Sequence, residues 1–230
     1  MIASPRFVFL HLHKSGGTFV NECLLRCVPQ ARQLGYHLPR SAIPPEFASL
    51  PVLGVVRNPW SYYVSWYAFQ TARPQPNALF RVLSEDGRAG FAGTIRNALR
   101  LASDAGLLER VVAALPASYT GRGLNLPGFE LAPIGGSGLG LYAYLHRHLF
   151  GVDGPTHAAR MERLREELPT MLEAVGEPVT DALRQHLAIA APSNVSIHGP
   201  YADYYGTALR ELVADRDAPV IQRYGYRFGD

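Results

Sequence analysis

Two short segments carry residue types and spacings suited to holding anions. One is Lys14-Ser15-Gly16-Gly17-Thr18. Lys14 is the single lysine of the chain, and the other 21 of its 22 basic Lys and Arg residues are arginine. Arginine presents a broad planar fork, whereas lysine is a compact point charge on a thin stem, which a tight glycine-lined cradle requires. Consecutive glycines let a backbone approach an anion closely, so that amide N–H groups and the start of a following helix point at it. Ser15 and Thr18 add hydroxyl donors. The other segment is Arg57-Asn58-Pro59, with Ser65 eight residues after Arg57. A guanidinium at the carboxyl end of a strand lies where ligands bind in open α/β sheets and suits bidentate capture of a second anionic group. Ser65, down the following helix, is expected to turn toward that same group. The nucleoside-triphosphate loop has another order, G-x-x-x-x-G-K-[S/T]. Here Lys14 precedes the glycines, and the second strand ends in Arg57 rather than in an Asp that would hold Mg²⁺.

Proton transfer falls to histidine, whose unperturbed pKa near 6.5 suits a general base. His13 stands directly before Lys14, and His37 lies in Gly35-Tyr36-His37-Leu38-Pro39. His11 sits within a strand and is expected to be a packed, hydrogen-bonded imidazole. Glu22, four residues after Thr18, reads as a capping or salt-bridge residue. His146 and His148 lie two apart, face different sides of a helix and read as solvent or core groups, not metal ligands. Asn194, Ser196 and His198 form a polar loop after Pro192.

Positioning these groups requires the following elements. Residues 6–12 read as a short buried strand. An amphipathic helix follows from Thr18 to about Cys27, with Phe19, Cys23, Leu24 and Cys27 on one face. Val52 to Val56 is apolar on every residue except Gly54, as in a parallel sheet covered on both sides. Pro59 suits the first turn of a helix through Gln70. After a Pro-containing break at 71–78, helical patterns run roughly over 91–103, 106–115, 139–150, 158–175, 179–190, 201–214 and 217–223. The aromatic residues Trp60, Tyr62, Tyr63, Trp66, Tyr67 and Phe69 read as core, with one ring able to stack on adenine or sugar. Residues 116–140 hold seven glycines and three prolines; a stretch of that kind is either a functional loop, such as an acceptor-site lid, or a disordered insert. The expectation is a single α/β domain over 1–230, a P-loop-like three-layer fold with a central parallel sheet flanked by helices and a helix-rich C-terminal half.

Composition excludes several classes. Hydrophobic content of 47%, charged content of 18% and a net charge of +3 fit a globular protein with a mild preference for anions. There is no basic run of a nucleic-acid footprint and no apolar stretch long enough to span a membrane. Cys23 and Cys27, four apart on a helix, read as packing thiols in a reducing compartment. With no leader pattern at the amino end, a cytoplasmic location is expected.

The segments His11-Leu12-His13-Lys14-Ser15-Gly16-Gly17-Thr18 and Arg57-Asn58-Pro59 with Ser65 resemble the two nucleotide signatures of sulfotransferases that use 3′-phosphoadenosine-5′-phosphosulfate (PAPS). The layout is most similar to the carbohydrate branch of 2-O and 6-O enzymes. Gly35-Tyr36-His37-Leu38-Pro39, Met161-Glu162-Arg163-Leu164, Tyr201-Ala202-Asp203-Tyr204-Tyr205 and the Gly-Tyr-x-Phe tail ending in Phe228 also resemble that branch, whereas about 71–157 does not. The resemblance implies that Lys14, Ser15, Gly16, Gly17 and Thr18 hold the 5′-phosphosulfate, and that Arg57 and Ser65 hold the 3′-phosphate. It implies a base at His37, with His13 and His11 as second choices, and a late loop, here Asn194 and Ser196, closing over the nucleotide. The family often has Pro where this chain has His13, which puts a titratable group beside the reacting sulfur. The implied reaction moves a sulfuryl group in line to an acceptor hydroxyl on a saccharide, glycolipid or hydroxylated small molecule, releases 3′,5′-ADP and needs no metal. The competing readings are a nucleotide kinase or NTPase on the same scaffold and a non-catalytic nucleotide-binding protein.

Overall fold

The computed structural model describes residues 1–191 and 196–230. In chain order the strands are β1 (Ile2–Ala3), β2 (Val8–Leu10), β3 (Arg32–Gln33), β4 (Val52–Val56) and β5 (His157–Arg160). The helices are α1 (Gly17–Cys27), α2 (Pro59–Thr71), α3 (Ala78–Leu83), α4 (Gly90–Arg100), α5 (Ala105–Ala114), α6 (Gly128–Leu131), α7 (Leu141–Phe150), α8 (Leu164–Glu173), α9 (Asp181–Ile189), α10 (Thr207–Arg216) and α11 (Ala218–Tyr224). The fold is α/β, and its strands form one open sheet. Among the described residues no helix is long and apolar enough to cross a membrane. The chain divides into two compact units, each made of two segments: Met1–Arg57 with the described part of Arg147–Val195, and Asn58–His146 with Ser196–Asp230.

The unit that begins at Met1 contains the whole sheet, in the order β3-β1-β2-β4-β5. β2, β4 and β5 run parallel, with Phe9 opposite Leu53 and Val55 opposite Ala159. β1 pairs antiparallel with β2 and with β3. The sheet is therefore mixed, a correction to the parallel sheet expected from β4. All five residues of β4 are buried, which needs cover on both faces. On one face Phe7, Phe9, Leu53, Val55 and Ala159 pack with Phe19, Val20, Cys23 and Leu24 of α1, Leu168 and Leu172 of α8, and Leu183 and Leu187 of α9. On the other face a Cβ at Gly54 would fall 2.5 Å from the Phe150 ring. Gly54 is the one β4 residue without a side chain because that ring takes its place.

A second correction concerns 158–175, read as one helix. His157–Arg160 is a strand, Met161–Arg163 a 3₁₀ turn, and only Leu164–Glu173 is α-helical. The sequence His-Ala-Ala-Arg has no β-branched residue, so its local preference is helical. Pairing with the fully buried edge of β4 overrides that preference.

The other unit is helical. Asn58 caps α2, its side-chain oxygen accepting from the N–H groups of Trp60 (3.1 Å) and Ser61 (3.5 Å), and Pro59 takes the first turn, as the motif predicts. The residues from Pro59 to Trp66 are all buried, so the first two turns of α2 lie within the core of this unit. Asp217, fully buried, joins α2, α7 and the junction of α10 with α11. Its carboxylate accepts from the Tyr63 hydroxyl at 2.9 Å and from the Ala143 N–H at 2.8 Å, and the Tyr63 oxygen accepts from the Tyr142 N–H at 3.1 Å. Residues 116–140 fold onto this unit. Asn125 accepts from the N–H groups of Thr120 and Gly121 at 2.7 and 2.8 Å, Tyr119 donates to Glu130 at 2.6 Å, and Leu126, Leu131 and Ile134 are buried.

Candidate functional site

β2 ends at Leu10, and residues 11–16 lead into α1. Two residues of this loop are left-handed, Lys14 at φ 54° and Gly16 at φ 75°. For a lysine that conformation costs about 1–2 kcal/mol, and local strain of this kind gathers at functional sites. Gly16 is the N-cap of α1 and offers no side-chain acceptor to the helix, so the first amides of α1 depend on other partners. A Cβ at Gly16 would also press on Leu164 (3.2 Å) and Met161 (3.3 Å). Gly17 has a reason within the fold itself. A Cβ there would lie 1.8 Å from Cδ2 of His11, so the histidine ring occupies the space that a side chain would need.

Arg57 follows Val56 at the carboxyl end of β4, beside the loop that leaves β2. It is buried, and its Nη1 donates to the carbonyl of Lys14 at 3.0 Å. Residues 43 apart in sequence thus share one sheet edge. The Lys14 ammonium is pushed down to about 8 from its ordinary value, by burial and then by the Arg57 charge. Crowding of this kind favours an anion that neutralises both cations.

Three histidine rings adjoin this pair. His37, left-handed at φ 48°, holds its Nδ1 2.6 Å from the carbonyl oxygen of His11. Its ring stacks on His13 with centroids 3.7 Å apart and planes 21° apart, and it lies 4.2 Å from the His11 ring. Tyr36 stands edge-on to both His11 and His37. Burial, then neighbouring histidine charge, pushes His11 down to about 3 and His37 well below the ordinary histidine range. His11 is packed as expected, and its buried Nδ1 has no hydrogen-bond partner among the described residues. Its carbonyl makes the useful contact instead.

The structure thus brings together Lys14, Ser15, Gly16, Gly17, Thr18, His13, His37 and Arg57 within one unit. Ser65 and Ser196 belong to the helical unit. Ser65 is buried, and its hydroxyl lies 2.9 Å from that of Ser196. Asn194 lies outside the described residues. His198 donates from Nδ1 to the carbonyl of Gly199 at 2.8 Å.

Sequence reasoning missed three features. Tyr36 was seen only as part of a motif, although its ring walls two histidines. The Arg57 contact goes to the backbone of Lys14, for which side-chain types give no signal. Asp217 sits in Ala-Asp-Arg-Asp-Ala, which reads as a solvated helix end; the only hint was Pro219 two residues later, at the first turn of a helix that Asp217 could cap. No protein-family model matches this chain, and a search of curated proteins finds no match.

Proposed function

We propose that this protein transfers a sulfuryl group from PAPS to a hydroxyl of a carbohydrate or other glycoconjugate. The observation that carries the reading is the meeting of Lys14 and Arg57 at the carboxyl edge of β2 and β4, beside an α1 terminus without a side-chain cap. Two cations and a helix N-terminus at one sheet edge suit a ligand with more than one anionic group.

When bound, PAPS supplies an activated sulfuryl group whose S–O bond to phosphate breaks, with the electron pair leaving on phosphate, as the bond to the acceptor oxygen forms. Lys14 and the first amides of α1 hold the phosphosulfate end and oppose the charge that grows there, a stabilisation larger in the transition state than in the ground state. Arg57 takes the 3′-phosphate. His37 accepts the hydroxyl proton: a carbonyl oxygen only accepts, so the bond to His11 puts the ring proton on Nδ1 and leaves the Nε2 lone pair as the base. The roles expected of Ser65, Asn194 and Ser196 toward the nucleotide rest on the resemblance.

Calorimetric titration with 3′,5′-ADP, 5′-ADP and ATP-Mg²⁺ tests this. Micromolar or tighter binding of 3′,5′-ADP without metal is expected. Preference for ATP-Mg²⁺ returns the chain to the kinase reading, and no binding to any of the three ends the nucleotide reading altogether.

A further inference from the structure

His13 and His37 reach one another from different segments, His13 from the loop after β2 and His37 from the stretch after β3. Their rings lie face to face at 3.7 Å, so two imidazolium charges there would repel strongly. The groups that face His37 are His11 and His13 from the β2 loop, Tyr36 from its own segment and the amino group of Met1. Lys14 follows His13, and Arg57 reaches the Lys14 carbonyl. The cations close by are Lys14 and Arg57, so a proton added to these rings is placed against their positive charge. The rings differ in exposure: His11 and His37 are buried, whereas His13 is half-buried with its Nδ1 on the buried side. A proton given to the pair lodges on the better-solvated ring.

We infer that His13 is a positioning residue that carries the proton of the stacked pair and thereby keeps His37 neutral, with its Nε2 lone pair available, in mildly acid solution. This rests on the sulfuryl-transfer reading for its use, because only an acceptor hydroxyl needs that lone pair. The proton of the hydroxyl goes to Nε2 of His37 as the proton on His13 leaves to solvent, so the stacked pair holds a single charge throughout. The same geometry explains a histidine directly before Lys14: a charge that arrives in acid adds to the anion-holding loop while the base stays neutral.

The test is ring NMR of ¹⁵N-histidine in the full chain without ligand, in the wild type, His13→Phe and His13→Gln. Phe keeps a flat ring in the stack and Gln keeps a polar group, and both remove the charge. In the wild type His37 is expected to stay the neutral Nδ1–H form well below pH 6. Both variants are expected to raise its titration by about one pH unit, and the acid limb of kcat/KM with PAPS is expected to move up by the same amount. An ordinary His37 titration in the wild type overturns the inference, as does a titration that neither variant moves. A ring shift as expected with no sulfuryl transfer at any pH overturns the transfer reading and supports the coupled pair as a property of the fold.

Discussion

Asp217 and His11 are both buried ionisable groups, one in each unit, and their surroundings differ in kind. Both oxygens of the Asp217 carboxylate accept from donors, Tyr63 and Ala143, and Tyr63 in turn accepts from Tyr142. Around His11 the neighbours are other bases, its Nδ1 lacks a hydrogen-bond partner among the described residues, and Lys14 and His37 hold left-handed backbone. A satisfied buried network ties elements together. A crowded and strained one is retained for something besides the fold. The Asp217 knot thus serves the fold, and the His11–Arg57 cluster is where the proposed chemistry is to be tested.

The sharpest way to break this assignment is Lys14→Ala. Turnover with PAPS is expected to fall by about 10²- to 10³-fold, while calorimetric affinity for 3′,5′-ADP, which lacks the sulfate, falls less than tenfold. Equal losses make Lys14 a binding residue only. Asp217→Ala is expected to cost roughly 2–4 kcal/mol in urea unfolding, because it strands two buried donors; a cost near zero would remove the structural assignment. Arg57→Ala is expected to weaken 3′,5′-ADP about tenfold to a hundredfold and to leave 5′-AMP binding nearly unchanged, and loss of both would put Arg57 elsewhere on the ligand.

The smallest effect is in pH. Burial raises Asp217 to about 7 from 3.8, so the folded state holds a proton that the unfolded chain has released. Its contribution is full below pH 4 and is lost as pH rises through 7. His11 is lowered from 6.5 to about 3, so its contribution is present above 6.5 and lost as pH falls toward 3. Between pH 4 and 6.5 the two slopes oppose, each at about 1.4 kcal/mol per pH unit at the limit. Urea unfolding at pH 4, 5.5 and 7.5 checks this with Asp217→Asn: its deficit against the wild type is expected to shrink as pH rises. A deficit constant across that range would mean that Asp217 titrates outside it.

Much of the scaffold under the cluster was legible. β4 was a run of apolar residues with a cap motif directly after it, and observed bounds of Val52–Val56 and Pro59–Thr71 follow from those local signals. The Lys14 loop was legible because lysine is unusual in this arginine-rich chain, and Arg57 because it stands at the end of a strand where an Asp would hold Mg²⁺. β1 and β3 were not, since two residues carry no periodicity, and β5 was not, because partner pairing rather than propensity makes it a strand. α3 was missed because six residues after an Asn77 cap are too short to show a 3.6-residue pattern. The histidine stack escaped because proximity in the fold joins segments that the sequence separates.

β4 and β5 are neighbours in the sheet, with Leu53 opposite His157, yet about a hundred residues of chain lie between them. Closing a loop of that length costs roughly 4 kcal/mol of chain entropy, to be recovered only once the ladder forms. During synthesis at about 5–20 residues per second, the β4 edge waits roughly 5–20 s for its partner. A nascent chain of this protein therefore carries an unpaired, wholly apolar strand edge for seconds. Its yield in a cell is expected to depend on what shields that edge until residue 160 has left the ribosome.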